Sequence, residues 1–258
     1  MENQLIELAY ALDTFYFLVM GAFVMWMAAG FTMLESGLVR AKNTAEILTK
    51  NISLYSIATI MYMIVGYNLM YPAGGSGFMP DLAFFLGSDN ATADVIKSGG
   101  EIYYSGISDH FFQVVFVATA CSIISGAVAE RMKLWPFLLF CVFMTSIIYP
   151  VQGYWKWGGG FLDEAGFMDF AGSGVVHLCG AAAALAGVMV LGSRRGKYKD
   201  GKDNKDDFSD TDPIVDALYN NGFNNPNIEN SPDNLQDAPS DAPAQSSSSS
   251  GGNEIFPN

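Results

Sequence analysis

The chain has 258 residues, half of them hydrophobic and only 15% charged, whereas ordinary soluble domains carry about 25% charge. Its formal net charge of −13 argues against nucleic acid as a partner, because that role needs a basic footprint. Residues 1–192 hold almost all the large apolar side chains, and residues 193–258 hold nearly half of the acidic ones, so the acidity is partly the property of a tail.

In chain order, the first 13 residues are acidic, without Lys or Arg, and lack the charged n-region of a signal peptide. Five segments then have the roughly 20 mostly apolar residues that cross a bilayer. They run over 14–34, 52–71, 111–128, 134–151 and 171–191. The loop after the first contains Arg40, Lys42 and Lys50, the loop after the third contains Arg131 and Lys133, and the fifth ends in "SRRGKYK". The other side, the N-terminus with loops 72–110 and 152–170, carries only Lys97 and Lys156 as bases. The positive-inside rule therefore places the N-terminus outside and the tail in the cytoplasm. "NAT" at Asn90 is a weak glycosylation sequon in an external loop. The expectation is an all-α polytopic membrane protein, in the plasma or bacterial inner membrane, with a membrane domain over 1–192. The tail over 193–258 is polar and Ser-, Asp- and Asn-rich, a composition expected to stay disordered. Within it "PIVDALY" has the pattern of a transient helix.

The three cysteines, Cys121, Cys141 and Cys179, lie in apolar runs and match neither a zinc pattern nor a disulfide framework, so they read as packing residues. There is no P-loop, no G-x-S-x-G and no metal cluster, so no enzyme and no cofactor is expected.

Polar or aromatic residues at the edges of the apolar runs are the candidates for function. His177 sits inside the fifth run, and an imidazole at that depth is either a packing group bonded to a neighbouring helix or a proton or cation relay. Its neighbours Ala171, Gly172, Gly174, Gly180 and 181–184 are small and let helices approach closely. Asp169 precedes the run, as a helix cap or as an attraction for cations. Trp157 is an interfacial anchor or one wall of a cation cage, while Trp155 reads as a plain anchor. Phe112 and Phe116 are four apart and share one helix face, as core residues or as a hydrophobic gate.

Together these residues resemble the ammonium transporter family, the group of ammonium transporters, methylammonium permeases and Rhesus proteins. The resemblance rests on "DFAGSGVVHLCGAAAALAGVMVLGSRRG", "FTMLESGLVRAKN", "FFQVVFVATACSIISGAVAER" and "WKWGGG", in the family's order, and covers roughly 10–200. It implies that Phe112 and Phe116 form the gate region, with Phe116 the outer gate. It implies that Trp157 walls an external ammonium site, that Asp169 supports that site without touching the ion, and that His177 is the first of two pore histidines. It implies about eleven spans in two inverted five-span repeats that enclose the pore, in an assembly of three. The match covers the first repeat only, so a second-half chain or a full-length relative is the implied partner, beside ammonium or ammonia and the lipid bilayer. The alternative is a non-transporting, truncated homologue that acts as a regulatory or scaffold membrane subunit through its acidic tail.

Overall fold

The first helix begins at Glu2 and runs unbroken to Gly37, twelve residues ahead of the expected start of the span. Its acidic opening stretch contains no Gly or Pro to stop the helix. This is a computed structural model; it describes residues 1–194 together with 196, 198–199 and 202–203, and residues 213–219, with most of the tail, lie outside the described residues. Five helical spans follow the expected order: Glu2–Gly37, Ala41–Met70, Gly106–Val128, Leu134–Glu164 and Ser173–Leu191, each long and apolar enough to cross a membrane. A two-residue antiparallel ladder, Tyr198–Lys199 with Lys202–Asp203, begins the polar tail, and a single antiparallel bridge joins Gly75 to Pro80.

The third span is the most enclosed and the first is the most exposed. Val114, Val115, Val117, Ala118, Ala120, Cys121 and Ile124 of the third span pack against Leu54, Ala58 and Tyr62 of the second, Phe137, Cys141, Met144 and Tyr149 of the fourth, and Val175 and Val176 of the fifth. Hydrocarbon gives little reason for apolar helices to associate, so close packing must hold them together. Gly180 shows how close: a Cβ there would lie 3.0 Å from the Ala120 carbonyl and 3.1 Å from Ile123. All three cysteines are free; Cys121 and Cys141 are buried in the core.

Three spans contain a π-helical turn: Tyr62–Gly66, Met144–Ile148 and Ser173–Leu178. The second has a local cause. Pro150 has no N–H to give to an α-helical carbonyl, and the widened turn, in which the Tyr149 N–H reaches back to the Met144 carbonyl, reorganises the ladder just before it. The first two π turns cross each other at Gly66, where a Cβ would come within 2.7 Å of the Thr145 carbonyl.

One expectation about the basic end changes. Lys50 is not in the first loop but is buried in the helix Thr44–Met61, where Nζ donates to the Ser125 carbonyl at 3.0 Å and lies 3.9 Å from Glu35 Oε2. Its charge is therefore matched internally rather than offered to a membrane surface. The short loop that remains is tied down by Glu130, which holds positive φ of 60° just after the third span. Glu130 Oε1 accepts from the Arg40 backbone N–H at 2.9 Å, Arg40 Nε at 3.2 Å and Asn43 Nδ2 at 2.6 Å. Arg194 pairs with Oε2 at 3.6 Å and donates to the Leu38 carbonyl. One carboxylate thus joins the first loop, the third span and the residue that opens the tail.

Burial alone raises the Glu130 pKa, but the donors from Arg40 and Asn43 outweigh it and hold it below its ordinary value of 4.5. A depressed folded pKa contributes stability that is complete above the ordinary value and is lost as the pH falls through the folded one. Glu130→Gln should lower the thermal midpoint at neutral pH and flatten its decline on acidification. Midpoints of purified wild type and variant from neutral into the acid range check this.

Candidate functional site

Asp169 is 8% exposed, and both of its carboxylate oxygens are fully used. Oδ1 accepts from the Gly172 and Ser173 N–H groups, each at 2.9 Å, and Oδ2 accepts from Gly174 at 2.9 Å and Val175 at 2.8 Å. A helix start leaves such donors without partners, and here one anion satisfies four of them while facing the positive end of the local dipole. The segment it caps is the π turn Ser173–Leu178 that carries His177. Gly172 makes the turn possible with φ of 81°, and a Cβ there would press on Val176 at 2.7 Å and on the Trp157 ring at 3.0 Å.

Trp157 closes the helix Tyr149–Lys156, and its indole Nε1 donates to the Asp169 carbonyl at 2.7 Å. The same residue therefore caps the fifth span and fixes the tryptophan ring. The ring meets Phe116 edge-on at a centroid distance of 6.2 Å, and Phe116 meets Phe112 at 5.0 Å, also edge-on. Phe112 continues to Phe17 of the first span at 5.4 Å. The structure thus brings four of the five candidate residues, Trp157, Asp169, Phe116 and Phe112, into one connected group. His177 lies eight residues beyond Asp169, inside the π turn, and it is exposed beside Leu178, which is 64% exposed. Trp155 faces elsewhere, donating to the Phe78 carbonyl at 2.8 Å and stacking on Phe78.

Residues that the sequence reading passed over lie one turn away on the third span. Asp109 is buried, and Tyr67 Oη donates to its Oδ2 at 2.8 Å. His110 stacks on Tyr62 at 5.6 Å and meets Tyr67 edge-on at 5.5 Å. In the adjoining loop, burial and then the Asp109 charge push the Tyr104 hydroxyl up to about 12. The spacing gives a signal that was readable: Asp109, Phe112, Gln113 and Phe116 fall at i, i+3, i+4 and i+7 of one helix face. Asn90 is held by its loop, its amide donating to the Tyr104 carbonyl at 3.0 Å.

Residues 15–213 match the model of the Ammonium Transporter Family. The chain belongs to the ammonium transporter family. Amt2, an ammonium transporter of Archaeoglobus fulgidus, is 41% identical over 197 residues, which are 72% of this chain and 40% of that protein. Among solved structures, a sensor Amt protein superposes with a TM-score of 0.68 at 31% identity, over 77% of this chain and 49% of the other. A crystal structure of Mep2 from Candida albicans gives 0.61 at 30% identity, over 70% of this chain and 39% of the other. The chain therefore spans less than half the length of these relatives. Together with the five apolar helices, membership of this family makes it an integral membrane protein.

Asp169→Ala would leave four N–H groups without their acceptor, those of Gly172 and Val175 buried, and bonds to a charged acceptor are worth about 1.5–3 kcal/mol each, not additively. The expected loss is about 3 kcal/mol of stability, with Asp169→Asn falling between wild type and Ala because only one oxygen remains. Thermal unfolding of the purified variants measures it, and tryptophan emission reports whether the Trp157 ring stays in place.

Proposed function

We propose that this chain forms one wall of a path for ammonium, with Trp157, Phe116 and Phe112 at its outer end and His177 beyond them. The observation that carries the reading is the contact run Trp157–Phe116–Phe112 built directly on the Asp169 cap. Aromatic faces attract a cation with about 0.5–2 kcal/mol. In this reading the Asp169 oxygens, all bonded to backbone, support the site and do not touch the ion. An ammonium ion held there loses a proton and passes as ammonia, because a charge at membrane depth costs about 3 kcal/mol or more while a neutral molecule costs much less. His177 then supplies the one polar contact on an otherwise apolar wall and accepts or returns a proton.

In the same reading the wall is incomplete by itself. The His177 face is open, with Phe170 fully exposed and Leu178, Leu185, Met189 and Val190 each more than 60% exposed. A second bundle of spans seats on that face and closes the path, within an oligomer. Residues 1–192 are the membrane domain, and 193–258 form a cytoplasmic tail that follows the basic end marked by Arg40, Arg131 and Arg194.

Methylammonium uptake in uptake-deficient cells tests this. Trp157→Ala should weaken uptake chiefly through the apparent affinity, by roughly tenfold if the ring contributes about 1.4 kcal/mol to binding, and His177→Ala should alter the maximal rate. Uptake that ignores His177 but disappears when residues 200–258 are removed would assign the activity to the tail and overturn the reading.

A further inference from the structure

In the connection between the second and third spans, the run "LAFFL" over 82–86 has no charged residue, yet it lies at the protein surface. Leu82, Phe84 and Phe85 are 63%, 59% and 63% exposed. Five consecutive apolar residues left open on a surface mark a contact with something apolar.

Phe85 shows where the run is held. Its backbone N–H donates to the Ile64 carbonyl at 2.6 Å, and its own carbonyl accepts from Asn68 Nδ2 at 2.6 Å. Its φ is 60°, in a region where a bulky residue is uncommon and must be held by its surroundings. The two bonds do this, and they tie the run to the flank of the second span rather than to its end. The charged residues on either side stay with the loops. The Asp81 N–H donates to the Gly74 carbonyl, and Asp89 accepts from the Gly106 N–H at the start of the third span.

The level of the run follows from the helix. The second span, Ala41–Met70, has 30 residues, about 45 Å of helix against about 30 Å of hydrocarbon. Centred in the bilayer, it projects about 7 Å at each end. Ile64 stands six residues before Met70, about 9 Å in from the end, so Phe85 is held at the boundary between headgroups and acyl chains. Headgroups and water still reach the other backbone groups of the run there, and only side chains need to enter hydrocarbon. The flank is the outward one. Leu54, Ala58 and Tyr62 pack into the core, while Ile52, Ser56 and Ile60 are exposed at spacings of four, a stripe on which Ile64 falls next. The open face around His177 belongs instead to the fifth span, which packs on the third through Gly180.

We propose that residues 82–86 form an interfacial wedge, with Leu82, Phe84 and Phe85 entering the acyl chains of the leaflet at the Trp157 end. The inference needs only the integration of the chain in a membrane and not the ammonium path. The wedge pins to the bilayer the connection that ends at Asp89 and leads into the third span ahead of Phe112 and Phe116.

The test is power-saturation electron paramagnetic resonance of the purified full chain in phosphatidylcholine vesicles, with a nitroxide on Phe84→Cys or Phe85→Cys. Wild type, with its three free cysteines, is the labelling blank. Collisions with oxygen, which concentrates in hydrocarbon, are compared with those of a neutral nickel chelate, which stays in water. Ile60→Cys is the lipid reference and the exposed loop residue Glu101, as Glu101→Cys, the water reference. Labels at 84 and 85 should collide more with oxygen than with nickel, as at Ile60, at a depth of about 5–10 Å typical of interfacial insertion. More collisions with nickel, as at Glu101, would place the run in water and overturn the proposal. Few collisions with either would mean that protein covers the run, and overturn it equally. Phe85 makes the two anchoring bonds through its backbone and Phe84 makes neither, so the Phe84 label decides even where the Phe85 variant fails to fold.

Discussion

The end of the bundle that carries Trp157 depends on a single carboxylate meeting four backbone N–H groups. Asp169 uses both oxygens on Gly172 through Val175, and its own carbonyl receives the Trp157 indole. In a membrane such donors have no water to fall back on, so the anion starts the fifth span, sets the angle of the tryptophan and determines where His177 emerges. The aromatic chain through Phe116 and Phe112 then follows from packing the capped segment against the third span. A neutral amide or hydroxyl cap could hold two donors; holding four takes both oxygens of a carboxylate.

The fold reaches that arrangement by departing from regular α-helix at three places. The π turns at Tyr62–Gly66 and Met144–Ile148 bring the second and fourth spans together, with Gly66 against the Thr145 carbonyl. The third, Ser173–Leu178, widens the helix where His177 lies. Such turns are uncommon and often accompany function. Here the second follows from Pro150, the first ends on the close-packed Gly66, and at the third Asp169 gathers successive N–H groups into one cap. Local chemistry and the working geometry are in this way the same set of contacts.

Much of this was legible in the sequence. Long apolar runs give the spans, because their length and hydropathy have no other use, and the five helices fall within them or extend them. The extensions were less readable: nothing in the first 13 residues stops a helix, so the first one starts at Glu2. Lys50 was misplaced because hydropathy counts a charge as loop, whereas Glu35 fifteen residues earlier offered a partner that only the tertiary packing brings to 3.9 Å. The candidate residues Phe112, Phe116, Trp157 and Asp169 were nameable from the family pattern, but the pattern does not say that Asp169 fixes Trp157 through its backbone carbonyl. Asp109 carried a periodicity signal with Phe112, Gln113 and Phe116, masked by the apolar residues around it.

The proposed path requires the open face around His177 to be a protein-facing wall and not a lipid-facing surface. A photo-crosslinking residue placed at Leu178, 64% exposed beside His177, tests it directly in the native membrane. The account predicts adducts with polypeptide, mapped to membrane-spanning segments packed on the fifth span. Adducts with lipid alone would contradict it.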